Sequence, residues 1–194
     1  MSVPYKHNIK IYQGSTFSEV IRWESATKIY KPITNITAAA PAVITAVGHG
    51  MPVGWRFKVS NVSGMEEVNT NNYIVATNTT TDSVTCNDLN SVGYTAYTSG
   101  GILVYNAPTS LNGITARMQI RNKVSSTTTI DELTTADGGI VIDDTLKTIT
   151  INIDAITTAA YTFKTAVYSL EAVNGSEVTL LVYGNVTLDT EITR

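Results

Sequence analysis

Residues 114–121, Ile-Thr-Ala-Arg-Met-Gln-Ile-Arg, alternate apolar and polar side chains without a break. Successive side chains of a strand project to opposite faces, so Ile114, Ala116, Met118 and Ile120 share one face while Thr115, Arg117, Gln119 and Arg121 share the other. A segment of this kind lays one face on a core and leaves the other to solvent. No helical reading fits it, and the same period of two runs through most of the chain.

Ile9 and Ile11 alternate in a short first strand that the Gln-Gly-Ser at 13–15 turns. Ile21 and Trp23 then share a face opposite Val20, Arg22 and Glu24, and Pro32 is expected to close that hairpin region. Beyond 121, Thr-Ala-Asp-Gly-Gly at 135–139 marks a turn. Ile140 and Ile142, a polar turn at Asp143–Asp144, and Ile149, Ile151 and Ile153 form a hairpin. Residues 154–163 are the best candidate for a helix, a short one, with Asp154 placed to cap its first turn and Ala155, Ala159 and Ala160 suited to it. A second hairpin turns at Asn174-Gly175, a pair suited to the positive φ of a tight turn, with Ala166, Tyr168 and Leu170 on one arm and Val178, Leu180 and Val182 on the other. Some seven short strands with one short helix outline a β-sandwich.

The stretch from 38 to 108 carries its own set of strands: Ala-Val-Ile-Thr-Ala-Val, Gly-Trp-Arg-Phe-Lys-Val-Ser, Asn-Tyr-Ile-Val-Ala-Thr, Ser-Val-Thr-Cys-Asn and Gly-Gly-Ile-Leu-Val-Tyr, divided by Gly, Asn, Pro and Ser turns. Strands this short and this closely spaced suit a small barrel. Removing the segment leaves Pro32–Thr37 beside Leu111–Thr115, a hairpin-like rejoining. The expected organisation is therefore discontinuous: a sandwich from 1–37 and 109–194, with a small β-barrel, 38–108, planted in one of its loops.

The 194 residues hold 13 Lys and Arg against 16 Asp and Glu, a net charge of −3. That balance, with no cationic stripe, speaks against nucleic acid. Charged residues make up 15% of the chain, against about 25% in soluble proteins, and Thr, Asn and Ser take their place. A β-rich body with so few charges is weakly protected against association. No signal-peptide pattern opens the chain, no apolar run is long enough to span a bilayer, and the single Cys86 has no disulfide partner. Folding in a cytosol is expected, and the five Asn-x-Ser/Thr sequons at Asn35, Asn61, Asn78, Asn174 and Asn185 are then of no consequence.

The segments 9–23, 111–121, 132–142 and 166–194 together resemble a group of tailed-bacteriophage virion proteins. That group combines an N-terminal Gln-Gly-x-Thr-Phe strand, here Gln13–Phe17, with a Thr-Ala-Arg-Met-Gln-Ile-Arg strand, here 115–121, and a final Gly-x-Val-x-Leu…Thr-Arg strand, here from Gly184. The likeness is to the immunoglobulin-like N-terminal domains of siphophage baseplate upper proteins and to tail-tip collar proteins, and covers 5–37 and 109–194. The tight turn expected before Ile114 is replaced here by the whole inserted segment. The segment from Pro41 to Gly101 resembles a small β-barrel repeat common in phage tail proteins, often labelled after a half-domain of ubiquitin-activating enzyme; no ubiquitin chemistry is implied. The resemblance implies a non-enzymatic virion component of the tail, baseplate, collar or neck, assembled in the host cytoplasm, with copies of itself in a ring and other virion proteins as partners. Its alternatives are a capsid decoration protein and a carbohydrate- or receptor-binding module acting through the inserted barrel. Neither nucleic acid nor membrane is expected as a partner, and glycan ranks behind protein.

Candidate chemical groups are few. His7 and His49 have no acidic or cysteine partner at ligand spacing, and Gly48-His49-Gly50 reads as a turn rather than a phosphate loop. Cys86 lies in a strand pattern beside Val84 and is expected to be buried and inert. Glu66-Glu67, Asp131-Glu132 and Asp143-Asp144 are neighbours along strands or turns, a spacing that does not build an acid–base dyad. Tyr94, Tyr97 and Tyr105 are expected first as core or turn residues, then as interface anchors, and only then as a shelf for sugar. Residues 179–186 carry apolar side chains on both faces, with Leu180 and Val182 on one and Leu181 and Tyr183 on the other; such a strand is either covered twice or meets another subunit. No catalytic, cofactor-binding or metal-ligating residue is assigned, and no cofactor.

Overall fold

A computed structural model of the chain describes residues 4–192. The chain opens with β1 (Tyr5–Lys6), β2 (Ile9–Tyr12) and β3 (Phe17–Arg22). It continues through β4 (Glu24–Pro32), β5 (Asn35–Ile36), β6 (Ala42–Thr45), β7 (Arg56–Ser63), β8 (Ile74–Val75), β9 (Asn78–Thr79), β10 (Ser83–Cys86) and β11 (Ser99–Pro108). It ends with β12 (Thr115–Arg121), β13 (Asp131–Thr134), β14 (Ile140–Asp143), β15 (Thr148–Ile153), α1 (Ala155–Ala159), β16 (Thr165–Asn174) and β17 (Glu177–Asp189). These elements fall into two compact units, one from the chain up to Trp23 and from Ser110 onward, the other Glu24–Thr109.

The first unit is a sandwich of two sheets. One sheet runs β13-β12-β16-β17, with β1 and β2 lying in succession along the outer side of β17; the other runs β14-β15-β3. With β1 and β2 counted as one first strand and β13 set aside as an addition beside β12, the second, fifth and fourth strands make one sheet, and the third, sixth and seventh lie together in the other. That is the strand order of immunoglobulin-type sandwiches. The alternation of 114–121 does what its period demands: Ala116, Met118 and Ile120 are buried, while Thr115, Arg117 and Gln119 face outward or are exposed. Ile140, Ile149, Ile151 and Ile153 meet them from the opposite sheet in one core, together with Ile9, Ile11, Tyr168 and Leu170. Asp154 caps α1 by accepting the Thr157 amide at 2.6 Å. In the last hairpin Asn174 pairs with Glu177, so the two turn residues are Gly175, at φ 59°, and Ser176. The positive φ falls on the glycine alone, the pattern of a turn with glycine first.

The apolar run at 179–186 departs from strict alternation. The register of β16 on β17 shifts between Leu170 and Glu171: Leu170 faces Val182, yet Glu171 faces Leu180. Leu181 is the extra residue of a bulge. Leu181 and Val182 are therefore both buried, at 8% and 4% exposure. Leu180 instead shares the outer face with Tyr183, which corrects the alternation expected from sequence.

The second unit is a closed barrel. Two four-stranded sheets, β5-β6-β10-β9 and β4-β11-β7-β8, are joined because two strands pass from one to the other. At the first crossing the Ile33 amide donates to Gly101, still on β11, and the next amide, Thr34, donates to Thr45 beside β6. At the second the Ala76 amide donates to Trp55, and that of Thr77 to Thr85 on β10. The strand path thus closes on itself through the two handovers, while β4, β5, β8 and β9 each keep a ladder partner on one side. Trp55, Phe57, Ile44, Met65, Leu103 and Tyr105 fill the interior.

The boundaries differ from the expected 37/38 and 108/109. β4 pairs with β11, Glu24 standing opposite Pro108 and Ile102 opposite Pro32. Ile29 and Ile33 pack into the barrel core. Pro32 therefore closes no hairpin with β3; it sits where β4 hands over to β5. The inserted unit begins at Glu24, because its first and last strands are each other's ladder partners.

The N-terminal strands are held on β17 by parallel pairing and by contacts at their junction. The His7 amide donates to Tyr183 at 2.9 Å, Tyr168 Oη donates to the His7 carbonyl at 2.8 Å, and the Asn185 amide donates to Asn8 Oδ1 at 3.0 Å. Gly184 permits this approach, since a Cβ there would overlap the His7 carbonyl. Gly184→Ala is expected to lower the unfolding free energy by about 1–3 kcal/mol through overpacking. Urea denaturation measures that loss, and hydrogen exchange should speed up at the His7 amide before the core of β12 and β16 is affected.

Candidate functional site: two sheet faces

The side chains capable of chemistry are spread apart and individually satisfied. His49 is buried; the Met51 amide donates to its Nδ1 at 2.9 Å, so its Nε2–H points to the Ser83 carbonyl at 3.1 Å. Its own carbonyl accepts the hydroxyl of Tyr105. His7 stacks on Tyr5 and lies 3.5 Å from Glu19. Cys86 is buried beside Val84, and burial, assisted by Asp88, pushes its thiol up to about 12. Asp131 accepts the Tyr161 hydroxyl while Glu132 takes the amide of Gln119, so the two neighbours point to opposite sides of β13. Asp143 caps the amides of Thr145 and Leu146, and Asp144 binds the Leu111 amide and the Lys147 ammonium. Glu67 accepts from the amide and hydroxyl of Thr95. Among the described residues no group of three or more His, Cys, Asp or Glu is placed to hold a metal ion.

The three tyrosines singled out in the barrel do not form a shelf. Tyr105 is buried, and Tyr94 and Tyr97 pack against the core, with Tyr97 Oη between the Ile33 and Gly100 carbonyls. The exposed tyrosines of this unit are Tyr30, at 61%, and Tyr73, at 50%. Sequence alternation gave no ground to prefer them, because each lies on a strand whose outward face is defined only by its partner.

Two outward sheet faces remain. The first belongs to the sandwich, where a groove is lined by Lys6, Arg121, Val167, Leu180 and Tyr183. The register places Lys6, Tyr183, Ser169, Gln119 and Glu132 in one row across five strands. That row spans about 19 Å at the usual strand spacing. Polar groups on it bind each other laterally: Arg117 pairs with Glu171 at 2.7 Å, and the Arg121 guanidinium meets Gln119 Oε1 at 2.6 Å. Between them Tyr183 is exposed, with Leu180 and Val167 half-buried beside it. The second face belongs to the barrel, on the sheet β4-β11-β7-β8. Here Lys58, Val104 and Tyr30 stand opposite one another, and Tyr73 lies against Lys58 with its ring centroid 4.7 Å from Nζ.

No family model matches the chain, and no curated protein matches it.

Two measurements follow from these placements. Cys86 is expected to resist a thiol-specific disulfide reagent at pH 8 and to react at the ordinary rate once denaturant is added, since only the thiolate attacks. In the sandwich, the amides of Gly139 and Thr134 hold Asp137 below its ordinary 3.8, Lys147 and the Leu111 amide do so for Asp144, and the Thr157 amide does so for Asp154. A carboxyl lowered by folding contributes stability above its unfolded value and loses that contribution as pH falls through the lowered folded one. The melting temperature is therefore expected to fall as pH drops below about 4. Asp144→Asn should flatten part of that slope in a pH series followed by circular dichroism.

Proposed function

We propose that this chain is a non-enzymatic structural component of a tailed-bacteriophage virion, set in the tail, baseplate, collar or neck. Copies of it pack side by side, and the inserted barrel carries a separate contact surface. The observation that carries this reading is the outer face of the six-stranded sheet. A bulge turns Leu180 outward beside Tyr183, whereas strict alternation would have placed Tyr183 with Leu181. An exposed aromatic ring with half-buried aliphatic side chains beside it, framed by laterally paired polar groups, is the composition of a protein contact. The row also carries both signs, Lys6 at one edge and Glu132 at the other, which a different face of the neighbouring copy can complement. The scarcity of surface charge and the sequence resemblance support the same reading.

Repeated copies of one heterologous contact close into a ring when the rotation allows it, and in a ring each weak contact is strengthened by its neighbours. Light scattering after size exclusion should give a mass that is a multiple of the chain, and negative-stain images should show closed rings. Leu180→Asp with Tyr183→Ala is expected to shift the population to monomer while leaving the melting temperature within a few degrees. A chain that stays monomeric at every concentration tested, and that mass spectrometry does not find in purified particles, would sink the reading.

A further inference from the structure

We infer that the outer face of the barrel sheet β4-β11-β7-β8 is a binding site for a short anionic oligosaccharide. One cross-strand row carries Tyr73, Lys58, Val104 and Tyr30, and the next carries Val75, Arg56, Asn106 and Lys28. Two exposed tyrosine rings therefore flank a lysine and an apolar floor, about 14 Å apart at three strand spacings. Among the described residues neither Lys28 nor Lys58 pairs with a carboxylate.

The platform is held in place before any ligand arrives. Arg56 Nε and Nη2 donate to the two carboxylate oxygens of Glu24 at 2.7 and 3.0 Å, and Asn106 Nδ2 donates to Glu24 Oε2 at 2.9 Å. The fixed guanidinium stands 4.8 Å from the centroid of Tyr73, whose ring Lys58 also approaches. Glu24 is thus a positioning residue: it orients Arg56, and Arg56 with Lys58 orients the ring.

Size and charge choose the ligand. A peptide adding as a strand would pair with an end strand, β4 or β8, rather than lie on this face. The two rows cover about 14 Å by 7 Å, roughly 100 Å², against the ~800 Å² per partner of a standard protein interface. The unit as a whole holds four Lys and Arg and five Asp and Glu, so the cationic patch is local and sets up no long-range field for a polyanion. Nucleic-acid affinity rests on neutralising a run of phosphates, and Lys28 and Lys58 suffice for two anionic groups. Tyrosine rings present flat C–H-accepting faces to sugar rings, and the ammonium groups beside them select carboxylate, sulfate or phosphate substituents.

The inference is independent of the virion reading, and its test is likewise. The full chain is applied to an array of carboxylated, sulfated and phosphorylated oligosaccharides, with neutral ones of equal length alongside. At least one anionic oligosaccharide should bind, and its neutral counterpart should bind about tenfold more weakly or not at all. Tyr73→Ala and Tyr30→Ala should each weaken it by about tenfold with the melting temperature held. Should either fail to fold, Lys58→Ala on the exposed face gives the same readout. An array with no anionic ligand bound, binding that survives both tyrosine substitutions, or tighter binding of a decathymidylate than of every oligosaccharide would overturn it.

Discussion

Glu24 and Pro108 stand opposite each other at the open end of the β4–β11 ladder, and most of the architecture follows from that pairing. An insertion leaves and re-enters its host at nearly one point, so its two ends must come together. Here they do so as ladder partners, which commits the first and last strands of the inserted unit to each other. The remaining strands then have to be arranged between them. Handing β4 over to β5 at Ile33–Thr34, and β8 over to β9 at Ala76–Thr77, lets six strand paths close on themselves. The consequence is two cores: Trp55 and Phe57 lie at the centre of one, Met118 and Ile120 in the other.

The host strands were legible because each carries its own evidence of facing. Ile9 and Ile11, 114–121, and 140–153 alternate strongly enough that the buried set can be read without knowing any partner, and Asp154 announces its helix by chemistry local to it. The insertion boundary was not legible. Residues 24–32 hold one buried-facing aliphatic, Ile29, among polar and charged residues, and the partner that fixes their sheet lies some seventy residues later. The same limit hid the bulge. Leu180, Leu181 and Val182 look interchangeable in a list, and only the shifted register on β16 decides which of them the core receives. The outward placement of Tyr30 and Tyr73 likewise depends on their partners, whereas Tyr94, Tyr97 and Tyr105 cluster in the sequence.

Thr, Asn and Ser do more here than wet the surface in place of charge. Ser91 is fully buried, its hydroxyl donating to Thr37 at 2.6 Å and accepting the Ala39 amide at 3.0 Å. Asn69 takes the Val62 amide and gives to its carbonyl at 2.9 and 2.8 Å, standing in for a neighbouring strand. Thr158 is buried and donates to Ser15. Short polar side chains can stop a ladder or bridge a bulge without bringing a charge into low dielectric. A chain of many short strands has many such ends, which gives a structural reason for a composition that otherwise looks like an unusually neutral surface.

The two units differ in what they leave for a partner to use. The sandwich has strands with an unpaired side, β13 in one sheet and β14 and β3 in the other, so it has both backbone edges and a side-chain face with which to engage. In the barrel β4, β5, β8 and β9 are end strands of their sheets, the handovers close the strand path, and the β4-β11-β7-β8 sheet presents a side-chain face outward. Side-chain faces can be rewritten residue by residue without touching the ladder beneath, since the Tyr73, Lys58 and Tyr30 positions contribute nothing to the barrel's interior. An edge contact, by contrast, is tied to the backbone geometry of the sheet that offers it. The Glu24–Pro108 pairing ends the β4–β11 ladder, so each unit keeps a hydrogen-bond network of its own.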